Sequence, residues 1–289
     1  MAGASSRSIP SAYAGRYTAE VAETADAPHP PDGVTLVRAP NPGPMTLDGT
    51  NSWVLRAPGA SGAIVIDPGP ANAAHLERLA RGGVELVLIT HRHPDHTEAV
   101  DAFAALTGAP VRAIDEMWCR GGAPLVDGER IRAGGVELEV LATPGHTSDS
   151  ACFALVAAAD DAPGASDTAI AVFTGDTVLG RGTTIIAHPD GALGPYLDSL
   201  ARLRELGAAG GVAVLPGHGP VLPDLAGICD AYLAHRQERL DQIRAALARL
   251  GADATAEAVT DVVYADVHGS VRFAAEASVR AQLEYLRRG

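Results

Sequence analysis

The sequence lacks lysine altogether and is poor in aromatic residues. All 22 of its cationic residues are arginine, aromatic residues make up 4% of the 289 positions, and the formal net charge is −13. An anionic chain is repelled by nucleic acids and by anionic membrane surfaces, and few rings are present on which bases could stack. The composition therefore argues against double-stranded DNA and against membranes as partners.

Cysteines and long apolar runs are also scarce. The three cysteines, Cys119, Cys152 and Cys229, are far apart and form no CxxC pair, which excludes a disulfide framework and a zinc ribbon. No run approaches the roughly 18 to 20 apolar residues of a membrane helix, and the N-terminus lacks the apolar segment of a signal peptide. We expect a cytoplasmic protein.

Short apolar runs separated by Gly and Pro turns begin at Val34 and predict β-strands. These runs cover residues 34–39, 51–56, 62–67, 84–90, 136–143, 151–157, 169–175 and 211–216. Helical patterns lie between them at 72–81, 97–106 and 195–206, and the polar segment 158–168 is typical of a surface loop. The sequence predicts one α/β domain over residues 34–222.

The two ends of the chain differ from this pattern. Residues 1–33 are rich in Ala, Ser and Pro and are predicted to be a poorly ordered leader. Beyond Pro223 the apolar strand patterns stop, and three helical patterns follow at 224–250, 255–264 and 271–288. The sequence thus predicts a separate helical module over residues 223–289.

The stretch THRHPDH, residues 90–96, carries three histidines and an aspartate directly behind a buried-strand pattern. Pro94 excludes helix interior for the residues before it, so the first two histidines lie on a loop at a strand end. Histidines that only cap the following helix are one interpretation. Metal binding is the other, and we favour it because imidazole and carboxylate are the usual zinc ligands.

The spacing within this motif favours two metal ions over one. His91 and His93 are two residues apart and point the same way along an extended chain. Asp95 and His96 fall on a different face because a helix begins there. Two pairs of ligands that face two directions suit two ions.

Four more chemically competent residues follow predicted strands, and each has a Gly or Pro beside it that allows a sharp turn. They are Asp67, His146, Asp176 and His218. Each alone would more often be a turn or capping residue, but side chains at strand ends meet at one edge of a sheet. No GxSxG motif occurs, so no serine nucleophile competes with a metal site.

The order of these motifs resembles the metallo-β-lactamase fold superfamily over about residues 34–222. The stretches NPGPMTLDGTNSWVL, TPGHTSDS, GDTVLGRGTT, HPDGALGPYLDSL and LPGHGP look like its β-lactamase-like protein 2 branch. His235-Arg236 and Val263-Tyr264 resemble the C-terminal helical extension of that branch. Glu98-Ala99 stands where two glycines are usual after HxHxDH, a departure that concerns helix packing more than ligation.

The resemblance implies a four-layer αββα sandwich, which belongs to the α/β class, with a C-terminal helical, winged-helix-like extension. It implies one metal ion held by His91, His93 and His146, a second held by Asp95, His96 and His218, and Asp176 as the bridge. Asp67 would orient the ligand loop and Asp95 would accept a proton, and both count as catalytic candidates. Two divalent ions, zinc first and manganese or iron as alternatives, would share a hydroxide that acts as the nucleophile.

The resemblance implies a hydrolase but leaves its substrate open. Single-stranded RNA, as in an endoribonuclease, is one candidate, and arginines of the C-terminal helices would then flank the substrate channel: Arg236, Arg239, Arg244, Arg272 and Arg280. The same arginines suit a solvated helix face with charge pairs. The alternative substrates are a small thioester, as in glyoxalase II, a lactone or a β-lactam. The complete ligand set disfavours a metal-binding protein without turnover, and His93 disfavours flavo-diiron chemistry; the oligomeric state stays open.

The remaining histidines are not part of a motif with other potential metal ligands. His188 and His235 are candidates to border the site. His29 falls in the leader, His75 on a predicted surface helix, and His268 in a polar turn. Tyr196 is expected to pack its helix and not to contact substrate.

Overall fold

The computed structural model describes residues 28–157, 168–266 and 269–288. Most of the predicted leader (1–33), nearly all of the predicted loop 158–168, and His268 lie outside the described residues. The division into a leader, a domain over 34–222 and a module over 223–289 therefore stays a prediction.

The first of two sheets has the strand order β1-β2-β3-β4-β5. Its strands are β1 Val34–Arg38, β2 Asn51–Leu55, β3 Ala63–Ile66, β4 Val84–Leu88 and β5 Val111–Arg112. The first three strands pair antiparallel, whereas β4 is parallel to both β3 and β5. The parallel strands end at the same edge, and the THRHPDH motif begins there.

The second sheet has the order β10-β9-β8-β7-β6. Its strands are β6 Arg130–Ala133, β7 Val136–Ala142, β8 Ala151–Val156, β9 Ala169–Gly175 and β10 Ala213–Pro216. All neighbours pair antiparallel except β9 and β10, which are parallel. The candidate ligands lie just beyond the C-terminal ends of β4 in the first sheet and of β7, β9 and β10 in the second.

Seven helices cover the sheets or follow them in the described residues. They are α1 Ala73–Leu79, α2 Pro94–Thr97, α3 Val100–Thr107, α4 Leu193–Leu206, α5 Leu225–Leu250, α6 Ala256–Val263 and α7 Arg272–Arg288. Short 3-10 turns occupy Glu116–Trp118 and Gly269–Val271. No helix in this described part of the chain has both the length and the apolarity that crossing a membrane requires.

Three layers of apolar contacts hold these elements together. Between the sheets, Ile64 and Ile66 of the first pack in one cluster with Phe153 and Phe173 of the second. Val65, which points the other way from its two neighbours, packs in a cluster with α1 and α3. On the far side of the second sheet, its residues pack with α4 and α5. Helices, sheet, sheet and helices form the expected four-layer sandwich, and both faces of β3 are buried, which explains its continuous apolar run.

The C-terminal helices are continuous with this sandwich. Leu225 and Tyr232, in the first half of α5, belong to the same cluster as α4 and the second sheet. The second half of α5 forms a smaller core with α6 and α7, in which Ile243, Val259 and Val279 are fully buried. The expected helical extension is present, and it is anchored to the sandwich through the long helix α5.

Two strands and one histidine differ from the sequence-based expectations. β5 is two residues long, too short to give a pattern, and β6 alternates Arg-Ile-Arg-Ala at the edge of its sheet, where charged side chains face solvent. The prediction that His75 lies on a surface helix was wrong for its side chain, which is 2% exposed. His75 faces the first sheet, where its Nε2 lies 2.9 Å from the Ser52 hydroxyl.

Gly145 allows the β7 end to approach α4, and its replacement by alanine should destabilise the protein. Its φ is +145°, and an added Cβ would lie 2.3 Å from the Cα of Tyr196. The matched control is Gly59→Ala, with φ +84° but nothing within 4 Å of the added carbon. In urea denaturation the control should lose about 1–2 kcal/mol through backbone strain alone, and Gly145→Ala about 1–3 kcal/mol more through overpacking. Equal losses in the two variants would contradict this account.

Candidate metal centre

All seven predicted ligands converge at the edge where β4, β7, β9 and β10 end. They fall into two groups, each with its ligand atoms within 4.8 Å of one another: His91, His93, His146 and Asp176, and Asp95, His96 and His218. Pro94 is the first residue of α2 and His93 its N-cap, with extended backbone angles. The helix start therefore separates the two ligand pairs of the THRHPDH motif, as the spacing predicts.

The first group is a cluster of three imidazoles. The Nδ1 atom of His93 lies 3.1 Å from the Nε2 of His91 and 3.0 Å from the Nε2 of His146. Their rings stand nearly perpendicular to one another, with centroids 4.7–4.9 Å apart. The three nitrogens thus face a common point.

The second group combines two imidazoles with a carboxylate. The Nε2 atoms of His96 and His218 are 3.3 Å apart. The Oδ2 of Asp95 lies 3.4 Å from the first and 3.1 Å from the second. Again three ligand atoms face one point.

Asp176 connects the two groups through its two carboxylate oxygens. Its Oδ2 is 3.9 Å from the Nε2 of His91 and 3.8 Å from that of His146. Its Oδ1 is 3.5 Å from the Nε2 atoms of both His96 and His218. One oxygen serves each group, which is the arrangement of a bridging ligand.

The residues present fit a pair of metal ions. Zinc ligands at about 2.0–2.1 Å from the ion in tetrahedral geometry lie about 3.3–3.4 Å apart, close to the separations within both groups. The Oδ1 of Asp176 is buried and has no hydrogen-bond partner among the described residues. An added Cβ on Gly217 would lie 2.6 Å from that oxygen, so glycine keeps the space beside it open. A buried carboxylate oxygen without a donor is costly unless a cation faces it.

Electrostatics distinguish the two groups. Burial lowers the pKa of His91 and of His146, and it lowers that of His93 to about 4, which leaves these imidazoles neutral with free lone pairs. Burial also opposes a charge on His96 and His218, but the neighbouring carboxylates outweigh it. They raise the pKa of His96 well above its ordinary value and that of His218 to about 9. A metal must therefore displace protons at the second group.

The carboxylates of the centre are both anionic. Burial by itself would raise the pKa of Asp95 and of Asp176. The surrounding imidazoles more than offset this and hold both pKa values far below the ordinary range. Negative charge thus lies between the two imidazole sets.

Each ligand histidine other than His93 has a partner on its second ring nitrogen. The Nδ1 of His91 lies 3.0 Å from the Thr90 hydroxyl, and that of His96 lies 2.8 Å from Asp67 Oδ2. The Nδ1 of His146 lies 2.8 Å from the Ile185 carbonyl, and that of His218 lies 3.3 Å from the Gly49 carbonyl. A proton held on Nδ1 by an acceptor leaves Nε2 as the ligand atom. The Thr184 hydroxyl is a second partner of His146, at 3.1 Å.

Asp67 lies behind the ligand loop, where the family resemblance places a residue that orients the loop. It is 1% exposed, and its φ is +53°. The Thr90 amide and hydroxyl donate to its two oxygens at 2.8 and 2.7 Å, and His96 Nδ1 contacts the second oxygen. Asp67 touches no other ligand in these contacts, so it positions His96.

The two ligand groups open into a cavity of about 340 Å³, a size typical of small-molecule sites. His93, Asp95, His146 and Asp176 line its base. The loop before β2 contributes apolar side chains, among them Met45 and Leu47. The C-terminal extension supplies the opposite wall through Arg236, Arg239, Tyr264, Val271, Ala274, Ala275 and Ser278.

The candidate residues of the helical extension separate into two sets. Arg236 and Arg239 line the cavity, and so does His235. Arg244, Arg272 and Arg280 do not line it and form ion pairs with Asp241, Asp261 and Glu276. His188 also lies outside this lining and contacts Glu284 at 3.0 Å.

Several supporting residues carried no recognisable signal in the sequence. The Thr50 hydroxyl contacts Asp95 Oδ2 at 3.3 Å, and the Gly49 and Ile185 carbonyls fix two of the histidines. These contacts join segments far apart in the chain. Only Thr90, which precedes His91 directly, had a signal: its position in the motif. Glu98, which stands where a glycine is usual after HxHxDH, accepts a hydrogen bond from the Ala71 amide at 3.1 Å. This contact agrees with a role of Glu98 in packing.

The sequence is similar to members of one superfamily. The profile of the Metallo-beta-lactamase superfamily matches residues 45–158. The Beta-lactamase-like protein 2 homolog of Caenorhabditis elegans is 31% identical over 88% of this chain and 84% of its own length. The lactamase-like protein adaB of Aspergillus niger is 33% identical over 75% of this chain. This chain spans only 64% of the fungal protein.

Solved structures show the same architecture. A metallo-beta-lactamase family protein of Thermus thermophilus matches with a TM-score of 0.71 and 25% identity, over 89% of this chain and 93% of that one. A beta-lactamase domain protein of Burkholderia ambifaria matches with a TM-score of 0.74 and 20% identity, over 94% and 91%. The second likeness bears on the fold alone.

Replacing Asp67 by asparagine should weaken the second metal group selectively. Asparagine tolerates the positive φ of this position, so the backbone is preserved, but its amide cannot act as a carboxylate toward His96 and Thr90. Loss of such a supporting contact typically costs about 10–100-fold in metal affinity. Equilibrium dialysis with elemental analysis should find one ion per chain held as tightly as before and one held more weakly.

The control for this experiment is Asp101→Asn, which removes an exposed carboxylate that pairs with Arg120 far from the ligands. It should bind both ions as the unchanged protein does. Unaltered binding of both ions by Asp67→Asn would show that the His96 contact has no influence on the centre.

Proposed function

Because the chain belongs to the metallo-β-lactamase superfamily, whose members are generally metal-dependent hydrolases, we propose that it hydrolyses a compact acyl substrate, a thioester or lactone, with two divalent ions bound. Asp176 carries the dinuclear part of this proposal, since one oxygen lies 3.8–3.9 Å from the first group and the other 3.5 Å from the second. Zinc fits the ligand types best, with manganese and iron as alternatives.

The residues of the centre have distinct roles in this reaction. Bound ions would lower the pKa of water to about 7 and polarise the attacked carbonyl. The anionic Asp95 faces the cavity and is anchored by the Thr50 hydroxyl, so its carboxylate can accept a proton during attack. Asp67 holds His96 in a single orientation and does not contact the cavity lining.

The shape of the cavity supports a compact substrate. Its volume of about 340 Å³ suits a small molecule, and the C-terminal helices form one wall of it. Among the described residues of this lining, Tyr264 is the only Phe, Trp or Tyr, and the Arg239 guanidinium lies over its ring at 4.7 Å. Binding of a single strand usually needs an open groove with aromatic rings free for stacking.

Single-stranded RNA is the second candidate, because three arginines, Arg181, Arg236 and Arg239, line the cavity and a phosphodiester suits a pair of metal ions. An endoribonuclease would need the chain to run across the cavity mouth, past Arg236 and Arg239. The net charge of −13 works against a long polyanion.

A substrate panel with metal removal tests the proposal. The protein is loaded with zinc or manganese and incubated with lactoylglutathione, a chromogenic lactone, a chromogenic β-lactam and single-stranded RNA. We expect turnover of the thioester or the lactone, its loss on chelation and its recovery when metal is restored, because the reaction needs a water of lowered pKa. Asp176→Asn should lose turnover in the same assay, while circular dichroism confirms that the chelated protein stays folded.

Two outcomes would decide against the acyl proposal. Cleavage of RNA without turnover of any acyl substrate would replace the acyl proposal by an endoribonuclease function. Full activity in the metal-free protein would reject the metal-dependent mechanism for both.

A further inference from the structure

Two arginines in the cavity wall lack the counter-charges that other arginines of the same extension have. Arg244, Arg272 and Arg280 each form an ion pair with a carboxylate. Arg236 and Arg239, which face the cavity, form none among residues 28–157, 168–266 and 269–288. Within the helical extension, these two cavity-lining arginines thus differ from the three that pair with a carboxylate outside the cavity.

Arg236 is held rigidly beside the first ligand group. It is 2% exposed, its Nη2 donates to the Thr184 carbonyl, and its Cζ lies 5.1 Å from the centre of the Tyr196 ring. The hydroxyl of the same Thr184 contacts the Nδ1 of His146. The Nε of Arg236 is buried and has no hydrogen-bond partner in the described structure. The guanidinium is therefore fixed in place with donor capacity unused.

Arg239 lies one turn further along α5, on the same face. Its Nη1 donates to Gln242 at 2.7 Å, and its guanidinium lies over the Tyr264 ring. Its Nε, like that of Arg236, is buried without a partner in the part of the chain that the structure describes. Neutral contacts and ring faces orient both side chains without neutralising them.

The other titratable groups of the cavity do not supply the missing anion. Asp95 and Asp176 face the metal ligands. Arg181 pairs with Asp48, at 3.4 Å. Burial and the two neighbouring arginines lower the pKa of His235 to about 4, so it is neutral at pH 7. Burying two cations together is costly unless an anion joins them.

The rest of the lining is largely apolar. Met45 and Leu47 on the loop before β2, and Val271 and Ala274 near the start of α7, line the same cavity. A bound molecule thus meets ligand groups at the base, apolar side chains at the sides and two guanidinium groups on one wall. Guanidinium groups bind carboxylates and phosphates through paired hydrogen bonds.

We propose that Arg236 and Arg239 form an anion-binding subsite, and that the natural substrate carries a carboxylate or phosphate group in addition to its scissile bond. The substrate part of this inference rests on the proposed hydrolase function. The subsite itself does not, since it is built from side chains of α5 alone.

A pair of matched esters tests the substrate class. The p-nitrophenyl monoester of glutaric acid and the p-nitrophenyl ester of pentanoic acid share a leaving group and a similar chain length, but only the first carries a carboxylate. The metal-loaded protein should prefer the anionic ester by about tenfold or more in kcat/KM, since a charged hydrogen bond contributes that much to binding. The preference should appear in KM, because the subsite is remote from the reacting bond.

Arg239→Gln should abolish that preference, and Arg239→Lys should restore part of it by returning the charge without the planar fork. Arg239 is chosen over Arg236, whose contacts with Thr184 and Tyr196 also support folding. Arg244→Gln, which removes a solvent-facing arginine of the same helix, is the matched control and should keep the full preference. Equal kcat/KM values for the two esters in the unchanged protein would overturn the inferred substrate class.

A binding measurement separates this inference from the hydrolase proposal. Inorganic phosphate is titrated by calorimetry into the chelator-treated full chain, in which no metal ion contributes. Binding should weaken about tenfold in Arg239→Gln and stay unchanged in Arg244→Gln. If neither these esters nor any substrate of the panel is hydrolysed but phosphate binding depends on Arg239, the hydrolase proposal fails and the subsite stands. Phosphate binding that is absent, or equal in all three proteins, overturns the subsite.

Discussion

The centre depends on one carboxylate that two sets of imidazoles share. Asp176 follows the end of β9 with 11% of its side chain exposed, and both of its oxygens point toward nitrogen atoms of histidines from other segments. The lone pairs of the neutral first group repel the carboxylate oxygens unless a cation lies between them, whereas the raised pKa values of His96 and His218 place protons in the second group until a metal displaces them. The close approach of β9 and β10 through Gly217, and the turn at Gly145 that brings in His146, both serve this convergence.

The ligands are oriented by groups that belong to the scaffold. Backbone carbonyls of Ile185 and Gly49 fix two of the histidines, and Asp67 fixes a third. A carbonyl within a packed loop has less freedom than a side chain, so the ligand atoms keep their direction before any ion binds. This preorganisation ties the metal centre to the stability of loops that are distant from it in sequence.

The sandwich and the helical extension contribute different residues to the site. The sandwich supplies all seven ligand residues, whereas the helical extension supplies the wall in which Arg236 and Arg239 lie. In the proposed function, the ligands would set the type of reaction and the wall would select the molecules that reach them. The first half of α5 shares its core with the second sheet, so the wall keeps a fixed position relative to the ligands.

Eight of the ten strands in the described residues were predicted from the sequence, because apolar periodicity is a local pattern. The seven candidate ligands, named from the HxHxDH spacing and the family resemblance, lie close together in the structure, and their role as ligands stays a prediction. The sequence missed β5 and β6, which have short or charged patterns, and it misplaced His75, whose helical pattern does not tell which face meets a sheet. The sequence did not indicate which arginines face the cavity or which carbonyls contact the histidines. Those features arise from contacts between segments that are distant in the chain, 39 residues apart for Ile185 and His146 and 169 for Gly49 and His218, and no local pattern encodes such a contact.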